Sequence, residues 1–319
     1  MGLGDTMENK QQVALAAEKI LEQVKKVIVG KDEVLLWVLT AILAGGHILL
    51  EDIPGVGKTT MALAFSRALG LSHSRVQFTP DVLPSDVTGY SVLEQGSGTL
   101  SYRPGAVLCN LFLADELNRA TSRTQSALLE AMEEKQVTVD GVSHQLPQPF
   151  TVIATQNPVG AAGTQLLPDS QIDRFMVRLS LGYPRPEDEV EMVLSRQKEA
   201  PIQQVQQVMD TQILQALQEI VGQTYVSQAV AEYVVKLIDA TRRHEKLLRG
   251  ASPRATLAVV SMAKAVARLR GRDYVVPRDV QEVLSVTVSH RLQAVPGEDT
   301  SPEDVLDLLL RKVPAPKMR

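Results

Sequence analysis

Residues 51–60 read Glu-Asp-Ile-Pro-Gly-Val-Gly-Lys-Thr-Thr and carry the clearest chemistry in the chain. Gly55 and Gly57 let backbone N–H groups turn inward toward phosphate oxygens. Lys58 is spaced to reach β- and γ-phosphates, and Thr59 to hold Mg²⁺. Pro54, Gly55, Val56, Gly57, Lys58, Thr59 and Thr60 are therefore the candidate nucleotide contacts. The usual pattern G-x-x-x-x-G-K-[ST] wants glycine at position 52, where this chain has Asp52. A second cluster is Leu111-Phe-Leu-Ala-Asp-Glu116, an apolar run ending in two acids. Acids at the end of a buried strand are costly unless they have a task. Beside a phosphate loop, Asp115 is placed to bind Mg²⁺ through water and Glu116 to polarise a water for attack on a γ-phosphate. Phe150 to Asn157 is another apolar run with a polar end. Asn157 has two readings, a group that orients the same water or a turn residue before Pro158.

These groups need elements to position them. Val13, Ala17, Ile20, Val24 and Val27 recur at helical spacing, which predicts a helix over about 10–27, with a second over 31–44. Short apolar runs at His47–Leu50, Arg75–Phe78, Leu111–Ala114, Phe150–Ala154 and Phe175–Leu179 then alternate with helical patterns, one of them near Met61–Leu69. Strands separated by helices predict an α/β fold with a parallel sheet covered on both faces. After Pro184-Arg-Pro186 no strand is expected. Stripes at Val230, Val234, Leu237, Ile238 and Thr241, and at Leu257, Val260, Ala263 and Ala267, predict an all-helical second domain over 186–319, behind a core over 1–185. Gln136 to Leu146 alternates around Asp140-Gly141, a two-residue hairpin signal. Residues 80–105, rich in glycine, form a second insertion between strands.

Composition bounds the function. The chain has 319 residues, 44% hydrophobic and 22% charged, which excludes wholesale disorder. Its single cysteine, Cys109, excludes a disulfide framework and a Cys-rich zinc site; it reads as core filler in a reducing compartment. His47, His73, His144, His244 and His290 form no metal spacing, and Trp37 reads as packing. No signal peptide is read at the start. Val34 to Leu50 carries no charge but is short for a membrane span and is broken by Gly45-Gly46, so it reads as a buried helix and strand. The expectations are no membrane span and a cytoplasmic protein. Net charge is −4 and aromatic content 4%, against a broad basic surface or stacking platforms for nucleic acid. The basic clusters Arg242-Arg243-His244 and Arg268 to Arg272 read as solvated helical faces or subunit contacts.

In combination and order, several stretches resemble the MoxR family of AAA+ ATPases over nearly the whole chain. They are 27–31, Leu49 to Thr59, Gln77 to Gly89, Leu113 to Ala120, Ala154 to Pro158, Leu167 to Phe175 and Ser252-Pro-Arg-Ala255. Asp52 looks like that family's version of the phosphate loop. The resemblance implies an AAA+ core with a five-stranded parallel sheet between helices, followed by an all-helical lid domain. It implies a helix-2 insert at about 80–105 and a presensor hairpin at about 136–147. It implies Asn157 as sensor 1, Arg174 as an arginine finger reaching a neighbouring subunit's γ-phosphate, and Arg254 as sensor 2. Val29-Gly30 is similar to the segment lining the adenine pocket. ATP and Mg²⁺ are the implied cofactors. A hexameric homo-oligomer, a von Willebrand factor A-domain partner and a protein client are the implied company. Ser252 is expected to cap the helix that begins with Pro253 and carries Arg254. Two other classes stand beside a remodelling ATPase. A nucleic-acid motor of the related helicase clade would show DNA-stimulated turnover. A non-hydrolysing nucleotide module would have no use for Glu116.

Overall fold

The computed structural model describes residues 3–52, 55–96, 98–157, 167–195, 201–297 and 300–317. In chain order, α1 (Leu3–Lys25) and α2 (Asp32–Leu43) lead into β1 (Ile48–Glu51), α3 (Lys58–Ala68) and β2 (His73–Gln77). A short α4 (Pro84–Thr88) precedes the hairpin β3 (Gly89–Leu93) and β4 (Leu100–Pro104). Then follow β5 (Leu111–Asp115), α5 (Ser122–Glu134), the hairpin β6 (Gln136–Val139) and β7 (Val142–Gln145), and β8 (Thr151–Gln156). After α6 (Asp169–Ile172) and β9 (Val177–Leu179) come α7 (Pro186–Ser195), α8 (Thr211–Gly222) and α9 (Gln228–Arg242). The chain continues with β10 (Leu247–Arg249), α10 (Pro253–Leu269), α11 (Pro277–Val288), β11 (Gln293–Ala294) and α12 (Pro302–Lys312).

The five apolar runs seen in the sequence form one sheet in the order β2-β5-β8-β1-β9, with every pairing parallel. The central strands β5 and β8 are buried throughout, whereas the edge strand β2 alternates. That pattern is what helices on both faces of a parallel sheet require. Alternate side chains of one strand point to opposite faces, and here they enter two different cores. Ile48, Leu50, Leu111, Leu113 and Ile153 join α1, α2 and α3 on one face. Leu49, Phe112, Ala114, Val152 and Ala154 join α5, Phe78 and Phe175 on the other. The first core continues without a break into α8 to α12, through residues such as Leu217, Val234, Val259 and Val283. The C-terminal helices therefore share apolar surface with α1 and α2.

The hairpin at 140–141 forms as its sequence dictates: Asp140 and Gly141 have φ of 50° and 77°, and Val139 pairs with Val142. Its His144 ring stacks on Tyr102 of the β3–β4 hairpin at 3.7 Å between centroids, so the two insertions touch. Cys109 is buried, and burial pushes its thiol pKa up to about 12. Among the described residues no helix is long and apolar enough to cross a membrane.

Two expectations are corrected. Strands do occur after 186: β10 and β11 pair antiparallel as a small ribbon. With three and two residues they are too short to show a period. The basic run at 268–272 is not a solvated face. Arg268 is buried with Nε on Thr224, and Arg270 and Arg272 both pair with Asp279, which is fully buried at the start of α11. A buried carboxylate needs such partners, and they come from the turn that joins α10 to α11, which helical periodicity does not describe.

Candidate nucleotide site

The phosphate loop leaves β1 at Glu51 and enters α3 at Lys58. Gly55 and Gly57 have φ of 89° and 98°, in the left-handed region that favours glycine. Gly57 is the residue before α3, so the unpaired first-turn N–H groups and the positive end of that helix lie at the loop. An anion is the natural occupant of such a place. Helix α3 begins earlier than the apolar periodicity suggested, because its first turn is the polar Lys-Thr-Thr of the loop.

One pocket gathers Gly55, Gly57, Lys58, Thr59, Thr60, Arg75, Gln77, Asp115, Glu116 and Asn157. All but Arg75, at the middle of β2, lie at the C-terminal ends of the parallel strands or in the segments that follow, where ligands bind in open α/β sheets. Lys58 is buried and its Nζ donates to the Asp52 carbonyl at 2.7 Å. Burial lowers its pKa, while the charges of Asp52, Asp115 and Glu116 act in the opposite sense.

Thr155, next to the C-terminal end of β8, ties the two acids together. Its hydroxyl donates to Asp115 Oδ1 at 2.6 Å and accepts from the Glu116 N–H at 2.8 Å. That second bond helps hold Glu116 at φ 55°, a left-handed conformation costing a side-chain-bearing residue about 1 kcal/mol. Arg75 donates to Asp115 Oδ2 at 2.8 Å. Glu116 is held at both oxygens, by Arg119 at 2.8 Å and by Asn157 Nδ2 at 3.2 Å. The Arg119 bond, followed by that from Asn157, holds its carboxyl below the usual carboxylate range against partial burial. Glu116 is thus a carboxylate in its proton-accepting form, bonded to the asparagine that follows β8.

The residues present fit Mg²⁺. Thr59 and Asp115 are hard oxygen donors in one pocket, of the kind this ion prefers. A carboxylate offers about four acceptor positions, so the two bonds on Asp115 leave room. Among the described residues no group of three or more His, Cys, Asp or Glu could hold a metal, so an ion here would draw on water and substrate oxygens.

The remaining expected residues lie elsewhere. Val56 packs against the first core. Gly30, at φ 70°, abuts Asp188 so closely that a Cβ there would clash with its carboxylate. Val29-Gly30 thus sits against the segment after β9 and does not line the phosphate pocket. Pro54 lies outside the described residues. Arg174 and Arg254 both pair with Glu133, Arg174 Nε at 3.0 Å from Oε2 and Arg254 through Oε1. With His47, Met176 and Arg291 they line a second pocket. His47 precedes β1 and Met176 precedes β9, so this pocket opens at the N-terminal end of the sheet, opposite the phosphate loop. Ser252 stands at the N-cap position with Pro253 in the first turn, but its hydroxyl lies 3.0 Å from both oxygens of Asp173 instead of capping.

Sequence reasoning missed Arg75, Gln77, Arg119, Thr155 and Glu133. Arg75, Arg119 and Thr155 lie inside stretches already singled out, and the polar ends of β2 and β8 were the signal for Gln77 and Thr155. Glu133 carries no sequence signal, since its two partners lie 41 and 121 positions away.

Residues 47–177 match the family described as "ATPase family associated with various cellular activities (AAA)", and residues 239–308 match an AAA lid domain. The chain is 40% identical to the Mycobacterium tuberculosis protein named Chaperone MoxR1, over 94% of this chain and 82% of that one. It is 42% identical to the uncharacterized Bacillus subtilis protein YeaC, over 94% and 95% of the two chains. A crystal structure of a candidate ATPase from Cytophaga hutchinsonii superposes with a TM-score of 0.91 at 35% identity, covering 99% of each chain.

Proposed function

The chain belongs to the MoxR family of AAA+ ATPases, and on that premise we propose that it hydrolyses ATP to ADP and phosphate to remodel a protein client. The observation that carries this reading is the single pocket holding Lys58, Thr59, Asp115, Glu116 and Asn157, with Glu116 bonded to Asn157. Gly55, Gly57 and the N-terminus of α3 supply N–H groups to the β- and γ-phosphates, and Lys58 adds a cation. Glu116 accepts a proton from the attacking water, and Asn157 orients that water with it. Mg²⁺, held by Thr59 and through water by Asp115, would neutralise phosphate charge in the transition state.

Within one chain, Arg174 and Arg254 sit at the far end of the sheet from the phosphate loop. The pocket and the two arginines are therefore complementary faces of one molecule that do not meet, the condition for head-to-tail assembly into a ring. In such a ring, a hexamer in this reading, Arg174 and Arg254 leave Glu133 and serve the neighbour's γ-phosphate. The MoxR resemblance adds a von Willebrand factor A-domain protein as partner, and the single buried cysteine supports a reducing, cytoplasmic setting. The nucleic-acid reading is not favoured, because the basic cluster at 270–272 is spent on Asp279 and Glu282. Calorimetry of Lys58→Ala tests the site: ATP binding should be lost or nearly so, since charge-assisted contacts to phosphate are strong ones. Parent-like affinity would exclude the phosphate-loop reading.

A further inference from the structure

Asp52 stands where the common phosphate-loop pattern has glycine, and nothing in the catalytic scheme above uses its side chain. The carboxylate is 5% exposed and fully engaged. It accepts from Ser180 Oγ at 2.7 Å, from the Leu181 N–H at 2.6 Å and from the Gly182 N–H at 2.9 Å. The carbonyl of the same residue accepts from Lys58 Nζ at 2.7 Å. Asp52 is thus the joint between the phosphate loop and the segment that leaves β9.

The sheet order says what that segment faces. Glu116 and Asn157 follow β5 and β8, which lie on one side of β1, so the γ-phosphate end of a nucleotide points that way. The nucleoside end must then lie on the other side of β1, toward β9 and residues 180–185. That segment also packs on the turn after α1: Lys31 Nζ donates to the Tyr183 carbonyl at 2.7 Å, and Gly30 abuts Asp188. Asp188 is fixed in turn by Arg185 at 2.9 and 3.0 Å. Residues 28–31 and 180–188 are one wall, and Asp52 is its attachment to the phosphate loop.

We propose that Asp52 is a positioning residue for nucleoside recognition: its carboxylate sets the distance between the phosphate loop and the wall at 28–31 and 180–188. This rests on the phosphate-loop reading above. Two charge-assisted bonds to backbone N–H groups and one to a hydroxyl are each among the stronger hydrogen bonds. Their loss frees the wall while the loop keeps its glycines, its lysine and the helix N-terminus. The probes are ATP and inorganic tripolyphosphate, each with Mg²⁺, titrated calorimetrically into the full chain. Asp52→Gly, which restores the common pattern, should weaken ATP by roughly tenfold or more and leave tripolyphosphate within about threefold. Asp52→Asn, which keeps one acceptor oxygen, should fall between. Ser180→Ala removes one donor only and disturbs folding least; it should shift the same ratio in the same direction, by less. An unchanged ratio of ATP to tripolyphosphate affinity in Ser180→Ala and in the folded Asp52 variants overturns the proposal, as does equal weakening of both ligands. If the parent binds neither ligand, the phosphate-loop reading itself is wrong, which is a separate result.

Discussion

Replacing Glu116 by glutamine separates binding from hydrolysis, and the local geometry says how cleanly. The carboxylate accepts from Arg119 at Oε2 and from Asn157 at Oε1. The introduced amide keeps one acceptor oxygen, which turns to Arg119. Its NH₂ then faces Asn157, whose buried Oδ1 has no partner among the described residues and is brought into reach by an amide flip. The fold therefore loses little, within about 1 kcal/mol for one weakened and partly exposed ion pair. Chemistry loses much more. An amide has no basic oxygen for the water's proton, and removal of a general base costs ~10²–10⁴ in rate, or roughly 3–5 kcal/mol of barrier. Glu116→Gln should bind ATP with parent-like affinity, melt within a few degrees of the parent and release phosphate at least 100-fold more slowly in a coupled assay, following ~10² as the lower bound. Turnover within threefold of the parent removes Glu116 from the mechanism. Loss of ATP binding together with turnover would refute its separation from the phosphate loop.

Arg119 is the main cause of the low Glu116 pKa, so Arg119→Ala should move the acidic limb of the pH–kcat/KM profile to higher pH; an unmoved limb contradicts that electrostatic account. His47 is buried, with Nδ1 accepting from the Val152 N–H at 3.0 Å and Nε2 3.2 Å from the Met132 carbonyl, and burial lowers its pKa from 6.5 to about 4. The native state then refuses a proton that the unfolded chain accepts below about pH 6.5, so stability is full above that pH and falls as pH drops toward 4, by about 3 kcal/mol from this residue. Urea unfolding of His47→Asn should show a shallower loss between pH 7 and 4.5, with part of the slope left by His290, which burial lowers in the same direction; an unchanged slope excludes His47 as a source.

The fold was legible where its signal is local. The strands β1, β5 and β8 are near-continuous apolar runs because both sheet faces are covered there, whereas the edge strands β2 and β9 carry polar residues; the Asp140-Gly141 turn and the phosphate loop announce themselves through residue types that few backbones allow. The catalytic side of the pocket was legible for the same reason, since Asp115, Glu116 and Asn157 each end such a run. What could not be read depends on partners distant in the chain. Glu133 draws in Arg174 and Arg254, and Asp52 reaches 128 to 130 positions forward to Ser180, Leu181 and Gly182. Glu133 has an unremarkable neighbourhood in sequence, Asp52 shows only as a departure from the common phosphate-loop pattern, and only packing shows what each holds. The ribbon of β10 and β11 escaped because two or three residues carry no periodicity.

The central claim is that the pocket around Lys58 is completed by Arg174 of a neighbouring molecule. Lys58→Ala keeps the arginine and loses the phosphate site, whereas Arg174→Ala keeps the phosphate site and loses the arginine. Such fingers contribute ~10³–10⁵ in rate, so each variant alone should hydrolyse ATP poorly. Subunit exchange is first established by energy transfer between labelled copies. The two variants are then mixed across a range of ratios and phosphate release is followed. The account predicts that activity returns in the mixtures, peaks at intermediate ratios and stays below the parent level. Exchange without recovery at any ratio would place Arg174 in its own subunit's chemistry or in structure alone, and would contradict the trans-acting ring.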